Sequence, residues 1–352
     1  MNIYNYREPF EFENGAVLPE ISITYHVFGK LNKDKNNVVW VCHHLTANSN
    51  AIEWWPGMVG PGCVINPENY YIVCANFLGS CYGTTGPLTN NPATGQPYYS
   101  SFPFPTIRDM VKAHILLRKH LGIDKIHLLI GGSMGGYQAL EWCVMEKNIS
   151  DNLVLLATSP AESAWGIAIH TAQRLAIEAD STWQDHRLSA GSKGLKAARA
   201  IGMLTYRNYQ IMVQNQTDPD SEKLDNFKAS SYINYQGDKL AKRFNAYCYW
   251  LLTKSMDSHN IARGRGGNIE KILKEITQRT LLIGVTNDIL CPLEQQEFLA
   301  KNIPDATLVE IESTYGHDGF MVETEKISKH ILTWLSRDHI NVIPFRNSNQ
   351  AN

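Results

Sequence analysis

Six short apolar runs punctuate the chain: Val38–Cys42, Tyr71–Ala75, Ile126–Ile130, Leu153–Ala157, Thr280–Val285 and Thr307–Ile311. Each has strand length, is rich in Val, Ile and Leu, and lacks clean apolar–polar alternation. That is the pattern of strands buried on both faces, as in a parallel sheet. Amphipathic stretches of helical length separate several of them. Thr106–Leu121 sets Ile107, Met110, Val111 and Ile115 at helical spacing, Tyr137–Glu146 follows the third run, and Leu293–Asn302 follows the fifth. The alternation predicts an α/β fold with a mostly parallel sheet flanked by helices.

Residues 161–268 break this pattern. No buried strand run occurs there, and four helical patterns replace it: Ala164–Ala179, Lys193–Tyr206, Ser221–Asn234 and Lys239–Met256. Strand runs then resume at Thr280. The expected organisation is therefore a core in two parts, residues 1–160 and 269–338, interrupted by a helical lid over 161–268, with a polar peripheral tail over 339–352.

Composition narrows the function. The chain has 352 residues, of which 43% are hydrophobic and 19% charged, and its formal net charge is −2. Nucleic acid is a poor partner for such a balance, since phosphate binding needs a basic surface. No window approaches 18 consecutive apolar residues, so no membrane span is expected. Met1–Phe12 lacks the basic start and apolar run of a signal peptide, which makes the cytoplasm the expected compartment. The seven cysteines, Cys42, Cys63, Cys74, Cys81, Cys143, Cys248 and Cys291, show no C-x-x-C spacing and read as buried free thiols. No metal site is expected: His43 and His44 are adjacent, and neighbours on a strand point to opposite faces. The glycines from Gly264 do not match a dinucleotide fingerprint and read as a flexible loop.

The strongest local signal is Ile126–Trp142, IHLLIGGSMGGYQALEW, which holds G-x-S-x-G as Gly131, Ser133 and Gly135. An apolar strand leads in and a helical stretch leads out, the context in which a sharp turn lifts a serine hydroxyl clear of a sheet. A nucleophilic serine needs a base, and the base needs an orienting carboxylate. On such a sheet the acid and then the histidine follow the serine. Asp288 lies in the turn after TLLIGV and His317 in the turn after TLVEI. Both stand just past the C-terminal end of a buried strand, where side chains converge. Asn287 cannot hold an imidazolium by charge. His114, His120 and His127 lie on the intervening helix and strand, and His43 and His44 precede the serine. Two backbone N–H groups would complete an oxyanion hole: Met134, after the nucleophile, and Leu45, in the loop after VVWVC.

These residues sit within longer segments. CHHLTANS, NFLGSCYGTTGP, GGSMGGYQALEW, GLKAARAIGMLTYR, FNAYCYWLLTKSMD, ARGRGG and YGHDGF together resemble the homoserine O-acetyltransferases of methionine biosynthesis, acyltransferases of the α/β-hydrolase fold. The resemblance implies an inserted helical lid and a ping-pong reaction. Ser133 takes the acetyl group of acetyl-CoA, with His317 as base and Asp288 as its orienter, and homoserine then attacks the acyl-enzyme. It also implies substrate-binding roles for Arg199, Tyr206 and Asp318. Arg199 would bind the amino-acid carboxylate, Tyr206 would assist, and Asp318 would bind the amino group. Acetyl-CoA is a co-substrate, no cofactor is held permanently, and a homodimer is the assembly the resemblance suggests. Where such proteins commonly read LTGDS this chain has Leu45-Thr46-Ala47-Asn48-Ser49, and Gly79-Ser80 replaces two glycines. Succinyl-CoA as donor and serine as acceptor remain alternatives, as does a serine esterase or thioesterase using the same triad.

Overall fold

The computed structural model describes residues 1–336. The expected tail, 339–352, lies outside the described residues. The strands are β1 Asn2–Tyr6, β2 Phe10–Glu11, β3 Val17–Leu18, β4 Ile21–Phe28, β5 Val38–Cys42, β6 Tyr71–Ala75, β7 Ile126–Gly132, β8 Ser150–Leu156, β9 Arg279–Val285 and β10 Ala306–Ile311. The helices are α1 Ala51–Trp54, α2 Ile107–His120, α3 Met134–Met145, α4 Ala164–Glu178, α5 Ser192–Tyr206, α6 Tyr209–Gln216, α7 Lys228–Ala241, α8 Ala246–Asp257, α9 Ile269–Leu273, α10 Leu293–Asn302, α11 Gly319–Val322 and α12 Thr324–Ser336.

One sheet of eight strands carries the fold, in the order β1-β4-β6-β5-β7-β8-β9-β10. The six strands from β6 to β10 in that order run parallel. They are the six apolar runs of the sequence. β1 and β4 add an antiparallel edge that those runs do not reveal. Every residue of β5 is buried, as covered faces on both sides require. One face packs Trp40, Met110 and Trp142, and the other packs Trp55, Phe320 and Trp334.

Local chemistry sets the helix ends. Asp109 N–H donates to Thr106 Oγ1 while Thr106 N–H donates to the Asp109 carboxylate at 2.8 Å, closing a capping box at the start of α2. Among the described residues no strand lies between β8 and β9, only helices, loops and an isolated Ala161–Asn260 bridge. Two helical expectations are corrected there. Residues 221–227 are turns, and α7 begins at Lys228, whose N–H donates to Asp218 Oδ2 at 2.8 Å. Asn226 has φ of 58°, which ends any helix before it. The stretch Lys239–Met256 is likewise two helices, because Asn245 breaks it and caps α8 through its side chain.

The loop from Gly264 is not loose. Arg265 Nη1 donates to Glu141 at 3.0 Å, and Arg263 pairs with Glu13 at 2.6 Å, so its arginines fasten it to the core. All seven cysteines are free; Cys63 and Cys81 are only partly buried.

β5 lies between β6 and β7, so the chain leaves β5 toward one neighbour and later returns on its other side. Such a switch opens a crevice at the carboxyl ends of the strands. The loop bearing Leu45 and the turn bearing Ser133 flank it.

Candidate active site

Ser133 sits between β7 and α3 with φ 53° and ψ −125°, outside the regions an ordinary side chain adopts. Two glycines make this turn possible. A Cβ at Gly131 would meet Gly135 O at 2.3 Å, and one at Gly135 would meet Cys42 O at 2.1 Å. The strained backbone is held by hydrogen bonds: Ser133 N–H donates to Leu156 O and Thr158 Oγ1 donates to Ser133 O, each at 2.9 Å.

The strain aims the hydroxyl at a base. His317 Nε2 lies 2.9 Å from Ser133 Oγ, and His317 Nδ1 lies 2.7 Å from Asp288 Oδ2. A carboxylate only accepts, so Nδ1 carries the hydrogen there and Nε2 presents its lone pair to the serine. Asp288 is itself fixed by the Leu290 and Cys291 N–H groups, which donate to Oδ1 at 2.8 and 2.9 Å. It therefore organises its own turn and does not cap α10, whose N-cap is Pro292. Burial pushes the His317 pKa down. The negative charge and hydrogen bond of Asp288, with Asp318 and Glu162 beyond, outweigh this and leave it raised.

Ser133 and His317 open into a cavity of about 50 Å³, also lined by Leu45, Arg199, Tyr206 and Asp318. Leu45 and Ser133 meet there, and the Met134 N–H is the first of α3, without an intrahelical acceptor. Arg199 and Tyr206 project from α5, with the guanidinium carbon 5.1 Å from the tyrosine ring centre. The Tyr206 and His317 ring centres are 6.1 Å apart. Six of the eight residues singled out in the sequence line this cavity; Asp288 reaches it through its bond to His317, and Met134 follows Ser133 in the chain.

The other candidates lie elsewhere or do other work. Asn287 donates to Ser313 O at 3.2 Å. His114 is buried against Trp40 and Trp142, its pKa pushed down to about 3 by burial. His120 stacks on Tyr4. His43 is buried with its pKa lowered to about 4, whereas His44 lines the cavity. Among the described residues, Asp288, Cys291 and His317 bring three metal-ligating atoms within 4.8 Å of one another. Asp288 and His317 are already bonded to each other in that group.

Several residues at the site carry no sequence signal. Arg207 Nε lies 3.0 Å from Asp318 Oδ2, an ion pair in which the N–H is not directed at the oxygen. Burial raises the Asp318 pKa, opposed by Arg207, Arg199 and His317. Arg243 donates to Thr46 O at 2.6 Å and to the Tyr82 hydroxyl at 2.8 Å, tying the turn before α8 to the Leu45 loop. His170 lines the cavity from α4.

Relatives of known name share this architecture. The alpha/beta hydrolase fold family matches residues 37–324. A homoserine O-acetyltransferase of Cyclobacterium marinum is 48% identical over 325 residues, 92% of each chain. One from Chlorobium chlorochromatii is 41% identical over 339 residues, 95% of each. The chain belongs to the homoserine O-acetyltransferase family. Its α/β-hydrolase fold is shared with the homoserine O-acetyltransferase of Bacillus anthracis, which superimposes with a TM-score of 0.88 at 24% identity over 96% of this chain and 97% of that one. Esterase E22 has the same fold, with a TM-score of 0.85 at 22% identity over 95% and 99%. Among the described residues, no helix of this family member is long and apolar enough to cross a membrane.

Proposed function

We propose that the protein transfers the acetyl group of acetyl-CoA to the hydroxyl of L-homoserine, giving O-acetyl-L-homoserine and CoA, in methionine biosynthesis. The carrying observation is the Ser133–His317–Asp288 hydrogen-bond chain opening into a cavity that also holds Arg199 and Asp318. The high identity to homoserine O-acetyltransferases supports the choice of donor and acceptor.

Each step then has a residue. His317 takes the Ser133 proton as Oγ attacks the thioester carbonyl. The Leu45 and Met134 N–H groups hold the oxyanion of the tetrahedral intermediate. Asp288 orients the imidazole and steadies the imidazolium, which then protonates the departing thiolate. The homoserine hydroxyl next gives its proton to His317 and attacks the acyl-Ser133 carbonyl. Arg199 meets the substrate carboxylate, Tyr206 supports that site, and Asp318 faces the ammonium. The narrow cavity under the helices limits water near the acyl-enzyme, which favours transfer over hydrolysis.

A cytoplasmic homodimer is the form we expect. The helices over the sheet expose Leu204, Tyr209, Val213 and Tyr235, apolar surface suited to a second copy.

The test is thiol release from acetyl-CoA with and without L-homoserine, for wild type and Ser133→Ala. Homoserine-dependent release lost in the variant is expected. Parallel arms with succinyl-CoA and L-serine identify a different donor or acceptor, and equal release without acceptor overturns the proposal in favour of an esterase or thioesterase.

A further inference from the structure

His170 is a buried imidazole in the cavity wall that the proposed reaction does not use. Its Nδ1 lies 2.8 Å from Asp257 Oδ1. The other oxygen of Asp257 accepts from Arg174 Nη2 at 2.6 Å. Arg174 is one helical turn along α4 from His170, and Asp257 ends α8, so two helices clamp the ring. Although the Glu162 carboxylate interacts with the ring electrostatically, Nε2 forms no hydrogen bond among the described residues. Nor is it sealed away, as both ring nitrogens of His114 are.

The clamp fixes the tautomer. A carboxylate held by an arginine accepts from Nδ1–H, so the neutral ring turns a lone pair on Nε2 toward the cavity. That lone pair is an acceptor waiting for a donor. Of the groups an amino-acid acceptor brings, the ammonium supplies three N–H donors and is costly to bury unpaired. Asp318 alone serves it poorly, because Arg207 already shares that carboxylate at 3.0 Å.

We propose that His170 binds the α-ammonium of the acceptor through Nε2, as a second acceptor beside Asp318, with Asp257 as its positioning residue. This deepens the homoserine reading and rests on it. Selectivity for an amino acid over a simple alcohol then comes in part from the α4–α8 clamp.

In a ping-pong reaction, kcat/KM for acetyl-CoA reports acylation and kcat/KM for L-homoserine reports transfer to the acceptor, so the two can be read separately. His170→Leu should lower kcat/KM for L-homoserine by about tenfold or more, the range for a hydrogen bond to a charged group, and leave that for acetyl-CoA within about twofold. The inhibition constant of L-2-aminobutyrate, which keeps the ammonium and lacks the hydroxyl, should rise in step. Asp257→Asn frees the tautomer and should give a smaller loss of the same kind, which covers the case of a His170→Leu protein that folds poorly. Parallel loss in both specificity constants, or an unchanged inhibition constant, overturns the proposal. Homoserine-dependent release in wild type with unaffected variants overturns this inference alone, whereas release without acceptor in wild type removes the functional reading and this inference with it.

Discussion

Arg207 closes α5 onto the turn that carries His317 by pairing with Asp318, Nε to Oδ2 at 3.0 Å. Burial and the charge of Asp288 leave the Asp318 pKa raised, and Arg207 is the foremost of the cations that oppose this rise, ahead of Arg199 and His317. Arg207→Gln should therefore leave more Asp318 protonated near neutral pH. The expected result is a fall of about tenfold in kcat/KM for L-homoserine. Since raising the pH restores the carboxylate, the loss should shrink as pH rises. A pH profile of the variant against wild type checks both parts.

The pH profile of acylation follows from His317. Only the neutral imidazole can take the serine proton, and its pKa is raised above the ordinary 6.5 chiefly by Asp288, against burial. Activity with acetyl-CoA should therefore fall on acidification through a pKa above 6.5. Asp288→Asn removes the charge that favours the imidazolium. It should move the acid limb to lower pH and reduce kcat on the order of 10⁴-fold, through loss of the correct tautomer. Burst and steady-state rates measured across pH in both proteins test the sign.

Ser133 stores strain in its backbone, at φ 53° and ψ −125°. Ser133→Gly should relieve it and raise unfolding stability by about 1 kcal/mol, after the larger entropy of the unfolded glycine chain is subtracted. Ser133→Ala keeps the Cβ and should show no such gain. Urea unfolding of the two inactive variants separates strain from the loss of the hydroxyl.

Arg243 acts on the loop that presents the Leu45 N–H, through its bonds to Thr46 O and Tyr82. In the proposed mechanism both half-reactions need that donor. Arg243→Met should reduce kcat/KM for acetyl-CoA and for L-homoserine together, each by about tenfold, a fraction of what losing a whole oxyanion donor costs. A loss confined to one substrate would count against this role.

The pattern along the chain located the parallel strands of the sheet well because burial on both faces leaves continuous apolar runs. Val38–Cys42 and Tyr71–Ala75 are β5 and β6 to the residue. The antiparallel edge was hidden for the opposite reason. β1, NIYNY, exposes most of its residues, and an edge strand needs no apolar signature. Ser133, Asp288 and His317 were legible from chain order and from their position after strands. That Arg199, Tyr206 and Asp318 line the cavity was foreseen only through resemblance. His170, Asp257 and Arg207 were not, since their work depends on which helices pack together, and a polar residue on a helix face reads the same whether it meets solvent or a cavity.

The nucleophile and its base are 184 residues apart in the chain. On the ribosome the strained serine turn leaves the exit tunnel long before the segment that supplies its proton acceptor. A copy without that segment has no His317 to accept a proton from Ser133. Under the proposed mechanism acyl transfer waits on that segment, and the helices between β8 and β9 are made before it.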